Sequence, residues 1–200
     1  MQEHENISPQ QSLQVIQSMI ETARNQISEN GHLYLLWGWS VFFASIAQFI
    51  LWYYFSYEHH YLVWLGMWIV FIYQTIYLWK REKKKRIKTY SDELIGYVWI
   101  VFVILGFLIG FLISRLPSGK EYYVFINPVI LALYGMPTFL SGIILRFRPL
   151  VIGAVCCWAL SIASTFINSQ FHLLLIPAAM LAAWIIPGYL LRSRYKKQNN

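Results

Sequence analysis

Five stretches of this chain, each at least 18 residues long, contain no Asp, Glu, Lys, Arg or His: Leu33–Phe55, Tyr61–Trp79, Leu94–Ser114, Tyr122–Leu145 and Leu150–Phe171. A sixth, Leu173–Leu191, follows directly after His172. About 20 apolar residues cross the hydrocarbon core of a bilayer as a helix. Strands would alternate polar and apolar residues, which these runs do not, and in lipid a helix satisfies its own backbone. The reading is an all-α membrane protein with six transmembrane helices, at 33–55, 61–79, 94–114, 122–145, 150–167 and 171–191. Composition agrees: 12% of the residues are charged and 58% hydrophobic, where a soluble domain carries about 25% charged residues.

Orientation follows from the cations between the spans. Fourteen of the 16 Lys and Arg fall on one side: Arg24, the seven of "KREKKKRIK", Arg146 and Arg148 of "RFRP", and Arg192, Arg194, Lys196 and Lys197. Arg115 and Lys120 fall on the other. By the positive-inside rule both termini are expected in the cytoplasm, N-in and C-in. The chain then divides into a cytoplasmic segment 1–31, a six-helix domain 32–191 and a basic tail 192–200. Aromatic residues mark the two surfaces: Trp37, Trp39, Tyr77 and Trp79 inside, Trp52, Tyr57, Tyr61 and Trp64 outside. Trp68 and Trp158 fall deeper and read as packing residues. The first span follows largely polar residues with no basic n-region, so a cleavable signal is not expected and direct insertion into a bacterial inner membrane is. The basic loop serves as a topology anchor, and nucleic acid is not an expected partner.

The segment before the first span is a predicted helix on the cytoplasmic face. Ser8 is the N-cap, Pro9 the first helical residue, Gln11 completes a capping-box register, and Gly31 after Asn30 supplies the left-handed stop. Leu13, Ile16, Ile20, Ala23 and Ile27 recur at helical spacing and form one apolar stripe. Helices that lie on lipid carry Lys or Arg on the opposite face. Here that face is Gln, Ser, Asn and Glu with Arg24 alone, so the stripe is expected to dock on protein, either a partner or a second copy of the chain.

The order "SLxxIxxMIxxAxxx…NGxxYLLWGW" over residues 12–39, with several spans after it, resembles a group of small, uncharacterised bacterial integral membrane proteins. The segment "YGMPTFLSGIILRFRPL" (134–150) adds to the likeness. The resemblance implies a compartment and a topology, and no catalytic residues.

Motifs for chemistry are sparse. Cys156 and Cys157 are adjacent and read as apolar fillers. His59, His60 and His172 share the outer side with Glu58, but adjacent loop histidines lack the i, i+4 spacing of helical ligands, so neither a metal nor another cofactor is expected. No Asp, Glu, Lys or Arg lies inside a predicted span, where such groups mark proton relays and ion sites. No nucleophile with a base and no phosphate-cradling loop is found, so catalysis is not expected.

The expected role is therefore non-catalytic interaction or regulation through the cytoplasmic face, with the lipid bilayer as constant partner. The alternative is a small neutral-solute transporter or channel. Pro137 frees a backbone carbonyl in the fourth span, and Gln48, Gln74, Gly135, Thr138, Ser141 and Ser161 could line a cavity beside it. "LLWGWSVFFASI" and "ALYGMPTFLSGI" align Gly38 with Gly135 and Phe42 with Phe139, the mark of an inverted three-plus-three repeat. Gly106 and Gly110 form a GxxxG in the third span, a candidate helix–helix contact.

Overall fold

The computed structural model describes residues 13–14, 31–84, 90–115 and 124–199, and no strand occurs among them. The helices are α1 (His32–Tyr53), α2 (Gly66–Lys84), α3 (Tyr90–Ser114), α4 (Ile126–Ile144), α5 (Arg148–Ser164), α6 (His172–Met180) and α7 (Ile186–Asn199). A 3₁₀ segment, His60–Leu65, leads into α2, and a π-helical segment, Leu181–Ile185, joins α6 to α7 in one rod. Five helices are long and apolar enough to cross a membrane: α1, His60–Lys80, Glu93–Ser114, α4 and His172–Lys197. The apolar α5 has 17 residues, about 25 Å at 1.5 Å per residue and the short end of a spanning helix.

The helices divide into a core and a periphery. α4 and α5 form an antiparallel hairpin and are each other's main partners, and α1 lies along the rod of α6, the π segment and α7. Leu131, Leu150, Cys157, Ala179, Met180, Ala183 and Leu191 are wholly buried between these elements. α2 rests on α1, and α3 on α4. Both peripheral helices turn apolar side chains outward, with Ile69 and Phe107 each 73% exposed. In water such faces would be a liability, whereas in lipid they contact their solvent. Trp68 is a correction at this level. It lies on the outward face of α2 at 61% exposure and does not pack inside, because α2 offers the bundle only the side that meets α1.

Two backbone devices hold the core together. Gly31 has φ 70°, and a Cβ there would stand 2.5 Å from the carbonyl oxygen of Gly188, so the start of α1 meets α7 backbone to backbone. The π segment sits where Ile186 N–H donates to Leu181 O, five residues back, and Pro187, with no N–H to give, follows at once. The widened turn presses on glycines of two neighbours. A Cβ at Gly153 would lie 2.5 Å from Ala183 Cα, and one at Gly38 would lie 2.9 Å from Ile185.

Candidate functional site

Trp184, carried inward by the π segment, is the hub of the interior. It is 3% exposed and makes edge-on ring contacts with Tyr34, Trp99 and Tyr134 at centroid distances of 6.5, 5.3 and 5.5 Å. Its Nε1 donates to Thr138 Oγ1 at 2.9 Å, and Thr138 Oγ1 in turn donates to Tyr134 O at 2.8 Å. The hydroxyl therefore bridges an indole on one helix to a carbonyl on another, within a water-poor aromatic cluster. Position 184 stands among small residues and beside Pro187 in the sequence, which is the one signal that could have marked it.

The other residues read from the sequence as cavity-lining are distributed over the molecule. Ser161 Oγ donates to Pro128 O at 2.7 Å and ties α5 to the start of α4. At the far end of α1, Gln48 Oε1 accepts from Trp64 Nε1 at 2.6 Å, and Gln48 Nε2 donates to His60 Nδ1 at 3.1 Å. Gln74 Oε1 accepts from Trp37 Nε1, linking α2 to α1. Gly135 is covered by the indole of Trp158, whose Nε1 donates to Ala132 O at 3.1 Å. Only Thr138, Ser141, Pro137 and Gly135 share a helix and a neighbourhood. Ser141 Oγ is fully buried and has no hydrogen-bond partner among the described residues.

His172 is 1% exposed and its Nε2 donates to Ile167 O at 2.9 Å, which pins the α5–α6 loop. The His59 ring makes tilted contacts with those of Tyr57 and Tyr61. Among the described residues no group of three or more His, Cys, Asp or Glu lies together.

The GxxxG pair of α3 faces little of the protein. A Cβ at Gly106 would come no closer than 3.9 Å to Leu133, and one at Gly110 would meet nothing within 4 Å among the described residues. Of the docking stripe before α1, Leu13 is 64% exposed, while Ile16, Ile20, Ala23 and Ile27 lie outside the described residues.

Between α3 and α4 runs a shallow groove of ≈ 240 Å³, lined by Leu94, Tyr97, Val98, Val101 and Phe102 on α3 and by Met136, Pro137, Leu140 and Ile144 on α4. That is below the roughly 300–1,000 Å³ of a small-molecule pocket, and its walls are apolar. Pro137 is the one member of the expected cavity set that reaches it. At its end, α4 closes with a Schellman turn: Phe147 N–H donates to Gly142 O at 2.8 Å and Arg146 N–H to Ile143 O at 3.1 Å. Arg146 occupies the left-handed position of that turn, with φ 49°, where glycine is the usual choice. Across the groove, Tyr97 OH donates to Glu93 Oε1 at 3.1 Å. In the sequence Arg146 and the nearby Arg148 stand out only as topology signals.

No family model, curated protein or solved structure matches the chain. The residues themselves therefore carry the functional reading.

Proposed function

We propose that this chain is a six-span protein of a bacterial inner membrane, with both termini in the cytoplasm, that acts without catalysis by binding a protein partner or a second copy through its cytoplasmic face. The single observation that carries this is the join between Gly31 and α7. Contact between Gly31 and Gly188 O sets the start of α1 against α7, a helix that runs on to Asn199. Beyond Leu191 that helix exposes Arg192, Arg194, Lys196 and Lys197. The chain that carries the apolar stripe enters α1 at Gly31, beside this cationic helix, which suits recognition of an acidic protein surface.

The outward apolar faces of α2 and α3 support insertion, and the asymmetry of cations supports the orientation. For a transporter, a polar passage near mid-bilayer is required. The interior hydroxyl of Thr138 and the amides of Gln48 and Gln74 are instead used in links between helices or segments.

The test is site-specific photocrosslinking in cells from Ile20 and from Ser193. Discrete adducts from both positions to one protein species, lost from Ser193 when Ile16 and Ile20 are both changed to Ser, are expected. Crosslinks to lipid alone from both sites would overturn the proposal.

A further inference from the structure

The groove between α3 and α4 has the wrong walls for a polar solute and ends among charges of both signs. Ile144 is its last residue on α4, and Arg146 and Arg148 follow within four positions, both exposed. Leu94 is its first residue on α3, and the exposed Glu93 precedes it directly, held toward the lip by the Tyr97 hydroxyl, whose ring lines the groove. Arg146 keeps a left-handed φ of 49° in a turn where glycine would be unstrained. A non-glycine residue held in that conformation points to use of its side chain.

We propose that this groove binds a phospholipid with a primary-ammonium headgroup, one acyl chain lying against Val101 and Leu140, its phosphate at Arg146 and Arg148 and its ammonium N–H groups donating to Glu93. Charge complementarity decides the class. Two guanidiniums alone would favour any anionic lipid, but a carboxylate on the opposite lip repels a second negative group and attracts a cation, which a phosphoethanolamine headgroup supplies a few bonds from its phosphate. The apolar walls accept a hydrocarbon chain with no polar group left unpaired. The proposal rests on membrane insertion with this end of α3 and α4 at the cytoplasmic leaflet.

The test offers delipidated protein in mild detergent three lipids of identical chains, dioleoyl phosphatidylethanolamine, phosphatidylglycerol and phosphatidylcholine, and reads retained adducts by native mass spectrometry. Phosphatidylethanolamine should be retained about tenfold better than the other two, the effect of one charge-assisted contact. Val101→Trp, which fills the groove, should abolish the preference, and Glu93→Gln should shift it toward phosphatidylglycerol. Equal retention of the three lipids, preference of the unaltered protein for phosphatidylglycerol, or no effect of Glu93→Gln would each overturn the proposal. Should Val101→Trp not fold, the exposed Glu93 site carries the test alone. Alkaline carbonate washing of the source membranes separates the two failures: a chain released by carbonate refutes insertion itself, and a retained chain without lipid preference refutes only the site.

Discussion

Thr138 and Ser141 sit one helical turn apart on α4, both fully buried, yet their hydroxyls have opposite roles. Thr138 serves Trp184 and Tyr134, whereas Ser141 has no partner among the described residues. Removing the acceptor of a buried N–H leaves that donor unpaired, while deleting a hydroxyl that bonds to nothing removes only a desolvated group. Thr138→Val should therefore lower unfolding free energy in detergent by about 1 kcal/mol, within the range for interhelical bonds in membranes. Ser141→Ala should be neutral or slightly stabilising. Equal losses in a reversible unfolding assay would contradict this division. Arg146 gives a second residue-scale expectation: Arg146→Gly relieves a left-handed φ and should raise stability by about 1 kcal/mol while weakening phospholipid retention. Opposite movement of two readouts is what a strained binding residue produces, and a structural residue would not give it.

At the scale of elements, close helix contact is placed by glycines other than the pair the GxxxG pattern singles out. Gly153 of α5 lies under the π segment, so Gly153→Ala forces a methyl toward Ala183 Cα, where backbone cannot yield as a flexible side chain would. A loss of about 1–3 kcal/mol is expected, the range of overpacked cores. Gly110→Ala, with no neighbour among the described residues, should leave the monomer's stability unchanged. A Gly110→Ala loss as large as that of Gly153→Ala would show that the α3 face is buried by another copy. The helical character of these segments was legible because uncharged runs of this length leave the backbone no other solution in lipid. Which faces meet was not legible. Where every side of a helix is apolar, periodicity no longer separates the lipid side from the protein side, which is how Trp68 came to read as interior. The small residues around position 184 and the following Pro187 hint at an irregular, closely packed turn, but the centrality of Trp184 depends on the register between α1, α5 and the final rod, which a local pattern does not encode.

At the scale of the whole molecule, the two halves that an inverted repeat would relate do not pack alike. α5 is the main partner of α4, whereas its counterpart α2 lies along α1 as a peripheral helix. The proposed orientation can be read with cysteines in a Cys156→Ala/Cys157→Ala background. His59→Cys, in an exposed loop, should react with an impermeant thiol reagent in intact cells, and the exposed Ser193→Cys only after lysis. Labelling of Ser193→Cys in intact cells would reverse the topology.

The same background decides between a packed bundle and a passage. Pro137 has no N–H for the carbonyl of Leu133, and a transporter would let water fill that break. Thr138 and Ser161 already donate to Tyr134 and Pro128 carbonyls, and the groove at Pro137 is lined by hydrocarbon, so little near the break draws water in. Cysteines at 138, 141 and 161 should accordingly resist a small water-soluble thiol reagent, while His59→Cys in the same preparation reacts. Ser141 is the sensitive position, since its unpartnered hydroxyl is where an entering water would first find an acceptor and a donor together. Reaction at 141 alone would mean a local opening of reagent size beside α4 and no continuous passage. Reaction at all three positions, blocked by a single neutral solute, would mean a continuous passage and would replace the interaction reading with transport.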